Sequence, residues 1–77
     1  MIKVLFFADL EEIVGSREIT IDKTEMAVTD VKEYLKATYP ALPVDRAMIA
    51  VNEEYVEDHD IVKSNDTIAF IPPVSGG

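Results

Sequence analysis

The residues best suited to chemistry stand at the C-terminus, where Pro72-Pro73-Val74-Ser75-Gly76-Gly77 ends the sequence on two glycines. Gly76 and Gly77 have no side chains, so this end is thin enough for a narrow channel and free to take backbone angles closed to other residues. Pro72-Pro73 favours a stiff, extended polyproline conformation. At about 3.3 to 3.6 Å per residue, six residues project roughly 20 Å. Residues 71–77 are therefore expected to form an extended reactive tail that presents the Gly77 carboxylate alone. A carboxylate is a poor electrophile. An activating enzyme must first convert it, with ATP, to an acyl adenylate, from which a sulfur donor displaces AMP to leave a terminal thiocarboxylate. In that scheme the domain is a co-substrate regenerated in each cycle. It binds no cofactor itself, the ATP being used by the activating enzyme, and the catalytic side chains belong to its partners.

The remaining composition offers little competing chemistry. There is no Cys, so no disulfide, zinc thiolate or side-chain persulfide can form, and any sulfur chemistry must use another group. The single His59 leaves too few soft ligands for a structural transition-metal site, and no metal is expected. The acidic run Glu53, Glu54, Glu57, Asp58, Asp60 lacks the spacing and the glycine of a calcium loop and reads as a solvated loop, with His59 on its surface. Asp9, Glu11 and Glu12 have nothing around them that forms a pocket and read as helix-start and surface charge. A formal net charge of -8 opposes phosphate backbones and anionic membrane surfaces, so neither nucleic acid nor membrane is an expected partner. The apolar run at residues 2–7 is far too short to span a bilayer and no cleavage-site pattern follows it, which predicts a cytoplasmic protein.

The elements that must position the tail fit one domain over residues 1–77, with 48% hydrophobic and 29% charged residues. Residues 2–8 are rich in β-branched and aromatic types and predict a strand buried on both faces or nearly so. Residues 9–14 predict a short helical turn, with Asp9 as its N-cap and Gly15 as its stop. Residues 17–22 alternate polar and apolar and predict a second strand paired with the first as a hairpin. Val28, Val31, Leu35 and Tyr39 recur at helical spacing and predict the one substantial helix, which Pro40 and Pro43 prevent from continuing. Residues 48–51 predict a strand that turns through Asn52-Glu53-Glu54 into Tyr55-Val56, with Asn52 the candidate for positive φ. A last strand over residues 66–71 ends where Pro72-Pro73 removes two ladder donors. This order predicts an α+β fold, a mixed sheet packed on one main helix as in ubiquitin-like β-grasp domains; pattern alone leaves a ferredoxin-like arrangement open.

Period-two alternation assigns Ile2, Val4, Phe6, Ile68 and Phe70 to the face that the single helix covers. Leu5, Phe7 and Ile71 are then left on the other face. Contiguous exposed apolar residues commonly mark a partner surface. The alternative is a small satellite core, made if the turn near Leu10 or the loop around Tyr55 folds over them.

Taken together, the opening Ile2-Lys3-Val4-Leu5-Phe6-Phe7-Ala8, the following Gly15 and the ending Phe70-Ile71-Pro72-Pro73-Val74-Ser75-Gly76-Gly77 resemble the MoaD/ThiS family of ubiquitin-like sulfur carriers, in the branch that supplies the small subunit of molybdopterin synthase. The resemblance covers essentially the whole chain and rests on both ends together. It implies a β-grasp fold whose terminal Gly77 is adenylated by a ubiquitin-activating-type adenylyltransferase and converted to a thiocarboxylate with sulfur from a donor protein. It further implies that the tail, with Pro72, Pro73, Val74, Ser75 and Gly76, inserts into the large catalytic subunit of a heterotetramer of two small and two large subunits. There the sulfur passes to a cyclic pyranopterin precursor in molybdenum cofactor biosynthesis. The family's docking positions fall on Phe7, Tyr55 and Ile71. Many members carry an arginine where this chain has Glu11, so an ion pair made there with a partner is not available to it. A carrier for thiazole synthesis, a ubiquitin-like protein modifier and a plain β-grasp binding module are the alternatives.

Overall fold

The computed structural model describes residues 1–73. The expectations placed on Val74, Ser75, Gly76 and Gly77 lie outside the described residues. In chain order the elements are β1 (Ile2–Phe6), α1 (Asp9–Val14), β2 (Glu18–Ile21), β3 (Glu25–Ala27), α2 (Val28–Thr38), β4 (Met48–Val51), β5 (Glu54–Tyr55), β6 (Ile61–Lys63) and β7 (Thr67–Ile71). Five strands form one sheet in the order β2-β1-β7-β4-β5, and β3 pairs with β6 in a separate two-stranded sheet. The central pair, β1 with β7, is parallel, while β1–β2, β4–β7 and β4–β5 are antiparallel. This is the expected α+β layout, a mixed sheet with one main helix on it.

The alternation assigned at the sequence level holds residue for residue on the covered face. Ile2, Val4, Phe6, Ile68 and Phe70 are all fully buried, as are Val28, Val31 and Leu35 from α2. Phe6 stacks on Phe70 with ring centroids 6.1 Å apart and meets Tyr39 edge-on at 6.4 Å. Such aromatic pairs add to what their burial already contributes. The expectation of a first strand buried on nearly both faces is corrected: in β1 Lys3 is exposed and Leu5 only half-buried. Hydrophobic composition suggested two covered faces, but one helix can cover only one. The strand also ends at Phe6, short of the expected Ala8.

A second correction concerns α1. Asp9 does not cap this helix; it is the first helical residue, and Ala8 stands before it at φ 52°, ψ -130° with no side-chain cap. The first amides instead find backbone acceptors, Leu10 N–H donating to Phe7 O at 3.1 Å and Glu11 N–H to Ala8 O at 3.1 Å. The turn is closed by main chain, so a side-chain oxygen is not needed. Gly15 ends the helix as expected, in the left-handed region at φ 85°, its N–H donating to Glu11 O at 2.8 Å.

The β3–β6 ribbon was not expected, and it matters to the acidic loop. Residues 57–60 are more than a solvated loop: the Asp60 and Asp58 carbonyls accept from Val28 and Thr29 N–H at 2.9 and 3.0 Å. Lys32 Nζ lies 2.7 Å from Asp58 Oδ1. The loop therefore satisfies amides at the start of α2 that would otherwise lack partners, while β6 inserts the fully buried Val62 beneath the helix. Among the described residues no helix is long and apolar enough to cross a membrane.

Gly15 and Phe70 are stabilised by different physics and should respond differently. A Cβ at Gly15 meets nothing within 4 Å, so Gly15→Ala carries only the backbone penalty of positive φ, about 1 kcal/mol. Phe70→Ala opens the stacked core and should destabilise by about 3 to 5 kcal/mol. Urea denaturation followed by circular dichroism separates the two; equal losses would contradict the strain argument.

Candidate functional site: the open sheet face

The face opposite α2 is built from a single row of paired residues. Leu5 pairs with Ala69, Ala69 with Ala50, and Ala50 with Tyr55, so the row crosses four strands. The two small residues stand in the middle and the two large ones at the ends. Alanines make a low floor and Leu5 and Tyr55 make walls, which turns a flat pleated surface into a hollow. The next row supplies Ile71 paired with Met48, with Phe7 beside them, its N–H donating to Phe70 O at 3.2 Å. The resulting concavity of about 590 Å³ is lined by Leu5, Phe7, Ala50, Asn52, Glu53, Tyr55, Thr67, Ala69 and Ile71.

All four sequence-derived face residues thus come together: Leu5, Phe7, Tyr55 and Ile71 line one surface. Tyr55 is 69% exposed and Phe7 41%. Among the described residues no satellite core covers them. Leu10 from α1 turns the other way and is buried in the main core, and Tyr55 forms a wall of the hollow without closing it. Met48, 39% exposed, extends the same apolar surface and was not singled out from the sequence, where it read only as the first residue of a strand.

The tail begins where this face ends. Ile71 is both the last residue of β7 and part of the lining, and Pro72 and Pro73 follow it directly. At their root lies a second cleft, lined by Pro72, Pro73, Asp9, Leu10, Pro43, Arg46 and Ala47. Glu11, which stands where many family members carry arginine, is engaged within the chain: its Oε1 lies 3.2 Å from Arg17 Nε.

One corner of the hollow is held by a polar clamp that sequence reasoning did not find. The β4–β5 turn places Asn52 at φ 51°, as expected, and also Glu53 at φ 72°. Asn52 N–H donates to Thr67 O at 2.9 Å, and its side-chain oxygen accepts from Thr67 N–H at 3.0 Å. Its amide nitrogen donates to Asp66 Oδ1 at 2.9 Å, while Asp66 Oδ2 accepts from Lys63 N–H at 2.8 Å. The clamp ties the turn to β7, the strand that leads to the tail. The signal for it was an Asn and an Asp fourteen residues apart, and nothing in the spacing linked them.

The hydrogen bond from Asn52, and after it that from the Lys63 backbone, hold the Asp66 carboxyl below its ordinary value of 3.8. A depressed carboxylate contributes stability that is present above the unfolded value and lost as the pH falls through the folded one. Asp66→Asn should therefore lower the thermal midpoint at neutral pH, and the gap to wild type should close as the pH drops below 3.8. A gap that persisted unchanged into that range would show that the carboxylate charge is not what holds the turn.

Comparison with known proteins agrees with this architecture. The ThiS family model matches residues 4–77. The molybdopterin synthase sulfur carrier subunit of Dictyostelium discoideum is 42% identical over 81 residues, covering 97% of this chain and 94% of that protein. Among solved structures, SAMP1 from Haloferax volcanii superimposes with a TM-score of 0.84 at 31% identity, covering 99% of this chain and 98% of that one. Subunit 1 or 2 of the Helicobacter pylori molybdopterin-converting factor, solved as a complex of the two, matches with a TM-score of 0.73 at 20% identity over 99% of this chain and 97% of that one, a likeness of fold. With a family model that spans nearly its whole length and a relative of this identity, the chain belongs to the ThiS family.

Proposed function

We propose that this protein is the sulfur carrier subunit of molybdopterin synthase, acting in the cytoplasm. The observation that carries the reading is the 42% identity, over 97% of the chain, to a protein of that name. The chemistry follows from the Gly77 carboxylate. On an adenylyltransferase of the ubiquitin-activating type, a carboxylate oxygen attacks the α-phosphorus of ATP and pyrophosphate leaves. Sulfide-level sulfur from a donor protein then attacks the acyl carbon and AMP leaves, giving the thiocarboxylate. In the large subunit that sulfur adds to a carbon of cyclic pyranopterin monophosphate, and water cleaves the acyl–sulfur bond so that the carboxylate returns. The ATP belongs to the activating enzyme, and this chain supplies no cofactor and no catalytic side chain.

The described residues have the role of delivery. Leu5, Phe7, Tyr55 and Ile71 form the seat for the large subunit, in an assembly of two small and two large subunits. The Helicobacter pylori molybdopterin-converting factor forms a protein–protein complex of its subunits 1 and 2. Because Ile71 belongs to the seat and to β7 at once, docking of the face fixes the point from which Pro72 and Pro73 lead residues 74–77 toward the chemistry. A second reading, conjugation to other proteins as a modifier, is favoured by one observation, the TM-score of 0.84 to SAMP1, a small archaeal modifier protein. A thiazole-synthesis carrier or a plain binding module has no such support.

Intact mass measurement of the protein isolated from cells should find a species with one oxygen replaced by sulfur, and that species should convert the pterin precursor when mixed with the large subunit. Removing Gly77, or adding one residue after it, should abolish conversion with an unchanged circular dichroism spectrum; conversion retained by either variant would overturn the proposal, and adducts to lysines of other proteins would favour the modifier. Phe7→Asp and Ile71→Asp should each block association with the large subunit while leaving the thermal midpoint within a few degrees, since neither side chain belongs to the buried core. Association surviving both changes would remove the open face from the interface.

A further inference from the structure

The lining of the open face contains one carboxylate. Of its nine residues, Glu53 alone carries a charge at neutral pH. It shares that lining with Leu5, Phe7, Tyr55 and Ile71, at the Thr67 end of the face where the β4–β5 turn meets β7, so a partner that fills the hollow removes water from the side of the turn that carries this carboxylate. Within the chain Glu53 has neither an ion pair nor a side-chain hydrogen bond among the described residues. Lys3, a cation on the same face, lies 3.9 Å from Glu18 at the opposite edge.

Two features concern the backbone that carries this carboxylate. Glu53 occupies φ 72° in the tight β4–β5 turn, the second central position, where glycine is the residue that backbone geometry favours. A glutamate here therefore works against local stability. The turn is also clamped by the Asn52–Thr67 and Asn52–Asp66 hydrogen bonds, so the backbone that carries Glu53 is held in place on β7 before any partner arrives.

Resting on the docking reading above, we infer that Glu53 selects the partner: the surface that seats on Phe7, Tyr55 and Ile71 presents a lysine or arginine to the Glu53 carboxylate. An apolar partner surface without that cation leaves a carboxylate desolvated and unpaired, which is strongly unfavourable. One with it gains a charge-assisted hydrogen bond in a setting sheltered from water. The formal net charge of -8 gives the chain a negative field that draws a cationic surface in and makes association salt-sensitive. Discrimination thus comes from rejecting partners that are apolar but not basic.

The test measures association of the intact chain with separately purified large subunit of molybdopterin synthase by surface plasmon resonance, across a range of ionic strength. Glu53→Gln keeps size and hydrogen-bonding capacity but removes the charge. It should weaken binding roughly tenfold to a hundredfold and flatten the salt dependence, whereas Glu54→Gln should stay within about twofold. Glu53→Gly gives a readout that a merely structural role would not produce: it suits the positive φ, so the thermal midpoint holds or rises while binding still weakens. Wild-type affinity and salt slope in Glu53→Gln, or equal losses in Glu53→Gln and Glu54→Gln, would overturn the assignment of Glu53. If Phe7→Asp and Ile71→Asp both bound normally as well, the docking reading itself would fail, so the two failures are distinguishable.

Discussion

Everything in this domain hangs on the parallel pairing of β1 with β7. It joins the first strand of the chain to the last described one, Val4 beside Ile68 and Phe6 beside Phe70. A parallel pair cannot be closed by a tight turn and requires a crossover, and here the crossover includes α2. The same pairing that creates the sheet's centre therefore delivers the helix to one of its faces. It also sets the parity of both strands together: even-numbered residues of β1 and β7 go under α2, odd-numbered residues go to the other side. A slip of one residue between them would turn one strand over relative to the other. It would bring Lys3 into the core and expose Phe6, or do the same with Thr67 and Phe70.

The uncovered face is a consequence of that arithmetic. A chain of 77 residues with one long helix has no second layer to spend on the far side of the sheet. Most small domains meet this by making the far side polar. Here the row across the sheet is Leu5, Ala69, Ala50 and Tyr55, and the next holds Ile71 and Met48. The far side is apolar and hollowed, which disfavours the isolated domain and favours a complex. The same strand, β7, contributes to the core through Ile68 and Phe70, to the face through Ala69 and Ile71, and to the root of the tail through its end.

What could be read in the sequence was what depends on short-range periodicity. Val28, Val31 and Leu35 announce α2, and Ile2, Val4, Phe6, Ile68 and Phe70 announce the covered face, because each pattern repeats within a few residues. Leu5, Phe7 and Ile71 follow by parity. Strands β3 and β6 escaped because three residues each are too few to show a period, and Ile61-Val62 is an apolar pair too short to mark a strand. Ala8 escaped because a positive φ in a non-glycine residue is set by how the strand must turn into α1, which no local signal records. Met48 and the Asn52–Asp66 clamp required knowing which strands are neighbours, and that is a property of topology. Tyr55 was reached by resemblance, since a two-residue strand carries no alternation of its own.

The clamp and the tail root also explain how a small domain can deliver a group accurately over a distance. Proline has no backbone donor and a fixed φ, so the two prolines after Ile71 lend stiffness where a ladder can no longer do so. Upstream of them, β7 is held on one side by β1 and on the other by β4, and at its start by Asn52, which both donates to and accepts from Thr67. The strand is therefore fixed at both ends before the chain leaves the sheet. On the proposed reading the partner grips side chains of that same strand, so an error in docking is carried directly into the position of the group that reacts. At about 3.3 Å of advance for each extended residue, one residue inserted or lost after Ile71 would misplace the terminal carboxyl by more than the length of a hydrogen bond. A carrier with its reactive group on a loop remote from its docking face would not have that strict coupling; on the proposed reading a single strand imposes it.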